Sequence, residues 1–77
     1  MAFIEIDNKI VNLDNIIEIS FSEIGYLDNY YCCIYFKTIN GMSTYNIEGK
    51  SNKEVEEKIK NIMNNIKKIT KAIKING

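Results

Sequence analysis

The chain has 77 residues, room for one domain and one core but not for a second. Ten lysines balance ten acids, and the chain holds no His, Arg, Trp, Pro or Gln, so no bulk field draws it to nucleic acid or a membrane. Without His the commonest general base and the commonest metal ligand are both missing, which excludes serine and cysteine triads of the usual kind.

Residues 2 to 6 alternate, with Ile4 and Ile6 on one face and Phe3 and Glu5 on the other, and predict a strand. Asp7-Asn8-Lys9 is a turn signal, and Ile10-Val11-Asn12 reads as the returning strand. After the polar corner Leu13-Asp14-Asn15, a half-buried strand is expected over Ile16–Ser22, with Ile17, Ile19 and Phe21 sharing a face. Residues 23 to 29 read as an unusually apolar loop, with Ile24, Tyr26 and Leu27 around Gly25. Residues 30 to 39 carry the strongest strand pattern, and Asn40-Gly41 predicts a two-residue primed turn after it. Such a turn sets Ile39 opposite Met42, Phe36 opposite Tyr45 and Ile34 opposite Ile47. Cys32, Ile34, Phe36, Tyr45 and Ile47 then form a core face. The other face, with Tyr31, Cys33, Tyr35, Ile39, Met42, Thr44 and Asn46, is too apolar for free solvent.

Ser51-Asn52-Lys53-Glu54 matches a capping box, and the pattern beyond it predicts a helix over about 52–75. Val55, Ile59, Ile62, Ile66, Ile69 and Ile73 recur at helical spacing along one stripe. A helix of about 24 residues is about 36 Å long, against about 23 Å for a seven-residue strand. Two outcomes stand open. Either the helix breaks at Asn64-Asn65 or frays, or Ile66, Ile69 and Ile73 pack on another subunit. On the second, Ile62, Ile66, Ile69 and Ile73 are candidate interface residues of a dimer or higher oligomer, together with Ile39 and Met42 of the outer sheet face. The expected fold is α+β: a single domain over 1–77, with an antiparallel sheet of about five strands within 2–48 and one long C-terminal helix.

Charge is segregated along the chain. Residues 1 to 57 hold all ten acids and four lysines, net −6, and residues 58 to 77 hold six lysines and no acid, net +6. Lys67, Lys71 and Lys74 fall on one helix face and could hold an anion such as a nucleotide as point charges. Stacking would come from Tyr31 or Tyr35, or from Tyr26 in the loop, and two subunits would be needed to bring both sets together. Cys32 and Cys33 are adjacent and read as reduced, small apolar residues rather than half a metal site. No metal, cofactor or catalytic residue is expected. The first ten residues lack a basic leader, and no apolar run reaches membrane-span length, so the chain reads as cytoplasmic with no membrane partner.

Ile, Asn and Lys make up 37 of the 77 residues, a bias toward A/T-rich codons that points to a low-GC bacterium or its phage. The stretch Ile10-Val11-Asn12-Leu13-Asp14-Asn15-Ile16, the Asn40-Gly41 turn and Ser51 to Glu57 give an order of elements similar to FlbD-type flagellar and swarming proteins and to small phage proteins of the same layout. That resemblance covers about residues 3 to 62 and implies a small adaptor protein; it carries no functional residue. The functional expectation is a non-enzymatic, oligomeric binding protein of phage or mobile-element origin. It would act as an anti-defence inhibitor, blocking a host protein or sequestering a small anionic ligand. An FlbD-like adaptor is the alternative, and nucleic-acid binding through the lysine helix is a weaker one at zero net charge.

Overall fold

A computed structural model describes residues 2 to 69 and the backbone of residues 74 to 76. The chain opens with a hairpin of β1 (Phe3–Ile6) and β2 (Lys9–Asn12), paired Ile6 to Lys9 and Phe3 to Asn12. Its two-residue turn, Asp7-Asn8, has φ of 47° and 66°. Asp and Asn are the non-glycine residues that tolerate this left-handed region, and its twist matches that of the flanking strands. The Leu13 N–H donates to the Ala2 carbonyl at 2.8 Å, and the Ala2 N–H donates to Asp14 Oδ1 at 2.9 Å, extending the closure by one step. Ile4, Ile6, Val11 and Leu13 turn inward.

A five-stranded sheet follows, built from β3 (Glu18–Phe21), β4 (Gly25–Leu27), β5 (Asn29–Thr38), β6 (Gly41–Gly49) and β7 (Lys74–Asn76). β5 organises it. β6 runs antiparallel along one edge of β5, while β3 and β4 share the other edge in succession. β7 lies parallel to β3 on its far side. The apolar segment 23–29, expected as a loop, therefore contains a short strand. It reverses at Asp28, whose φ of 66° lets Leu27 pair with Asn29. Ile17, expected on the core face, is instead exposed and Ile16 is buried, because the alternating strand begins only at Glu18.

The long hairpin differs in register from the Asn-Gly expectation. Thr38 pairs with Gly41, Ile34 with Tyr45 and Cys32 with Ile47, so the two turn residues are Ile39-Asn40. Thr38 sets this turn: its Oγ1 accepts the Asn40 N–H at 3.2 Å and donates to the Gly41 carbonyl at 3.3 Å. Gly41 follows the turn at φ +150°, a conformation that favours glycine. The partners shift by two positions, which leaves the paired side chains on their expected faces, while Ile39, expected on the outer sheet face, stands in the turn. Phe36 and Tyr45 still meet, as diagonal neighbours with ring centroids 5.4 Å apart and nearly perpendicular planes.

α1 (Asn52–Ile69) starts at the cap read from the sequence. Ser51 Oγ accepts the Glu54 N–H at 3.1 Å, and Glu54 Oε2 accepts the Lys50 N–H at 3.1 Å, one residue before its usual target in a capping box. The helix passes Asn64-Asn65 without a break but ends at Ile69, not near residue 75, and residues 74–76 are extended. Its eighteen described residues give about 27 Å of helix, shorter than the roughly 31 Å of nine-residue β6, so among the described residues the helix does not overhang the sheet. Val55 and Ile66 are fully buried, and Ile59 and Ile62 pack against the same cluster. Helix and β1–β2 hairpin cover one face of the sheet, closing a core of Ile16, Ile19, Cys32, Ile34, Phe36 and Ile47 with the inward residues of the hairpin and helix. The architecture is α+β: among the described residues, six strands in antiparallel pairing precede the helix and a seventh, after it, joins β3 in parallel, where about five antiparallel strands were expected.

A candidate binding face on the open side of the sheet

β5 alternates cleanly: Cys32, Ile34 and Phe36 point into the core, and Tyr31, Cys33 and Tyr35 point the other way, half-buried. Nothing among the described residues lies over that second face. It is extended by Leu27 from β4 and by Met42, Thr44, Asn46 and Glu48 from β6. Leu27 and Met42 are 76% and 61% exposed, a large apolar display for a chain this small. Gly25 makes room for the aromatic part of the face. A Cβ there would come within 2.8 Å of Tyr31 Cζ and Oη, so the Tyr31 ring lies against bare backbone. Beside it, Leu27, Asn29, Tyr31, Cys33, Asn46 and Glu48 line a shallow recess of about 380 Å³. Asn46 Nδ2 donates to Glu48 Oε2 at 2.7 Å, which orients the one carboxylate in this recess.

Ser22 locks the floor of the face to β3. Its Oγ accepts the Cys33 N–H at 2.9 Å, its N–H donates to the Cys33 carbonyl at 2.9 Å, and its carbonyl accepts from Cys32 Sγ at 3.3 Å. Burial pushes the Cys32 thiol above its ordinary pKa, against the pull of its bond to Ser22. Charge on the neighbouring Cys33 is the main cause that raises the Tyr35 phenol, with desolvation adding to it. Cys32 and Tyr35 thus stay protonated at neutral pH, the opposite of an activated nucleophile. No group of three or more metal-ligating side chains converges among the described residues.

The structure separates the residues expected to bind an anion. Lys67 is exposed on α1, on the helix side of the sheet, while Tyr31 and Tyr35 lie on the open side. Tyr26 points to the helix side as well, its ring edge-on to Tyr30 at 4.8 Å. Lys71 lies outside the described residues, and Lys74 is described only as backbone, at the β7 position opposite Glu18. Within one chain, therefore, Lys67 and the open-face tyrosines share no site. Of the expected interface residues, Ile66 is fully buried in the chain's own core and Ile62 packs against it. Ile69, Ile39 and Met42 are exposed at 43%, 85% and 61%, and Ile73 lies outside the described residues.

Leu27, Asn29 and Glu48 were not among the expected site residues. For Leu27 and Asn29 the signal is the apolar character of 23–29, since a segment with Ile, Tyr and Leu in alternate environments is a strand as readily as a loop. A second cleft, about 260 Å³, opens on the helix side between Glu5–Asp7, Ile47–Glu48 and the helix residues Lys58, Asn61, Ile62 and Asn65. Lys58 spans it, donating to the Glu48 carbonyl at 2.6 Å and approaching Glu54 Oε2 at 3.7 Å, so its cation is already engaged. No helix among the described residues is long and apolar enough to cross a membrane. The chain matches no family model, no curated protein and no solved structure.

Proposed function

We propose that the chain is a non-catalytic binding protein that docks a partner protein on the open face of its sheet. In this reading it blocks a host protein, as an inhibitor from a phage or mobile element would, and does not sequester a small anion. One observation carries the choice: Tyr31, Tyr35, Leu27 and Met42 lie together on an uncovered face, whereas Lys67 lies on the opposite layer. Tyrosines on a rigid sheet supply large contact area at low entropic cost, which suits a protein partner. An anion would need positive charge, and among the described side chains this face has Glu48 and, at its margin, Lys37.

The test is a quantitative capture from a low-GC host lysate, comparing the parent with Tyr35→Asp and with Lys67→Ala/Lys68→Ala. A partner retained by the parent and the lysine variant but lost with Tyr35→Asp supports docking on the open face. A partner lost only with the lysine variant, or nucleotide binding in calorimetry that the lysine variant abolishes, would replace this reading with an electrostatic one.

A further inference from the structure

We propose that β6 is a self-pairing edge, along which two copies of the chain join antiparallel about a two-fold axis at Thr44. In an antiparallel ladder, residues alternate between bonding to the neighbouring strand and pointing away from it. The Cys33 and Lys37 carbonyls accept from Ser22 and Ile17, so odd positions of β5 bond toward β3 and even ones toward β6. Through the pairs Cys32–Ile47, Ile34–Tyr45 and Phe36–Ser43, the odd positions of β6 are spent on β5. Met42, Thr44, Asn46 and Glu48 then direct their N–H and C=O groups outward. The Glu48 carbonyl is already capped by Lys58 Nζ at 2.6 Å, which closes one end of the edge. Met42, Thr44 and Asn46 keep both outward groups without a partner among the described residues.

Proteins usually blunt such an edge with proline, lysine, a bulge or a very short strand. β6 is nine residues long with an uninterrupted register, and from Gly41 to Ile47 it has no proline and no charge. The occupant follows from complementarity. A register centred on Thr44 sets Thr44 opposite the second copy's Thr44 and Met42 opposite its Asn46. The open backbone groups of Met42, Thr44 and Asn46 then all find partners, and Glu48, its carbonyl capped, falls just outside the ladder. Thr opposite Thr is a favourable cross-strand pair. Charge agrees as well. The two-fold brings Glu48 of each copy within about 12 Å, Cα to Cα, of the other copy's Lys37, both on the open face. The two open faces become one surface twice as wide, whatever partner that surface takes.

Sedimentation velocity of the full chain from roughly 10 to 500 µM tests this, because a short ladder gives a weak dimer. The parent is expected to pass from monomer to dimer across that range. Thr44→Lys opposes two ammonium groups on the axis while leaving the bonds to β5 intact, and is expected to weaken dimerisation at least about tenfold. Register is read separately by oxidative crosslinking in a Cys33→Ser background. Thr44→Cys places the two Cα atoms about 5.5 Å apart, within disulfide range, and should give a covalent dimer. Asn46→Cys, offset from its own copy, should not. A parent that stays monomeric at the highest concentration leaves the edge to a foreign strand and overturns the proposal. So does a Thr44→Lys dimer as strong as the parent's, or crosslinking at Asn46→Cys equal to that at Thr44→Cys.

Discussion

Ile66 and Ile69 lie three residues apart on the same helix stripe, yet one is 0% exposed and the other 43%. Truncating each to alanine separates burial in the chain's own core from a stripe held for another subunit. Ile66→Ala removes three carbons from the core, about 2.4 kcal/mol of transfer free energy, and the unfilled cavity raises this to about 3 kcal/mol or more. Ile69→Ala loses only partly buried atoms and is expected to cost about 1 kcal/mol. The better helix propensity of alanine offsets both by about 0.4 kcal/mol and cancels in the comparison. For a domain of this size the total stability is about 4–12 kcal/mol, so Ile66→Ala removes a large share of it. At about 4–8 °C per kcal/mol, its Tm should fall by roughly 10–25 °C, and that of Ile69→Ala by less than half as much. Urea titration and thermal unfolding followed by far-UV circular dichroism give both values at low protein concentration. Equal losses for the two variants, or an Ile66→Ala cost below about 1 kcal/mol, would refute the placement of Ile66 in the core.

Ser51→Ala removes the acceptor for the Glu54 N–H and is expected to cost about 1 kcal/mol in urea unfolding, with Ser51→Asp recovering most of it. Asn8 stands at φ 66°, so Asn8→Val should lose about 1–2 kcal/mol while Asn8→Gly stays near the parent; equal losses would remove the left-handed turn. In the native protein a thiol reagent should modify half-buried Cys33 promptly and buried Cys32 only on unfolding, which mass spectrometry of digested protein reads directly. Cys32 has a raised pKa in the folded chain, so above the ordinary thiol value of 9.0 the unfolded chain loses this proton first. Stability should therefore fall as pH rises from about 9 toward the raised value, and Cys32→Ala, though less stable throughout, should lack that part of the decline.

Local rules carried most of the fold. The alternation in residues 3–6 and 30–38, the Asp7-Asn8 corner and the Ser51 cap each state a short-range preference that nothing distant opposes. On the long hairpin the two faces are as expected even where the pairing is not, because a two-position change of partner preserves the pleat, whereas Ile16 and Ile17 exchange places. The errors arose where one signal served two geometries. Asn40-Gly41 fits a primed turn, but the Thr38 hydroxyl bonds favour the turn one residue earlier, and a glycine after a turn is as useful as one inside it. Ile73 extends a helical stripe on paper, yet residues 74–76, within the helix expected to reach about 75, pair with β3, a contact that no local pattern announces. The open face was legible as a row of alternate residues on the long hairpin. Its separation from the helix lysines was not, since that depends on which side of the sheet α1 covers.

The parallel contact between β7 and β3 joins positions near opposite ends of the sequence, Glu18 with Lys74, whereas β3, β4, β5 and β6 follow one another through short turns. These two classes of pairing close loops of very different length, so they form on different clocks. Loop length predicts that the meander from β3 to β6 assembles first and that β7 docks after α1 has been laid across the sheet. Weakening the β3–β7 ladder should then leave the refolding rate nearly unchanged and speed unfolding, while weakening the β5–β6 ladder should slow refolding.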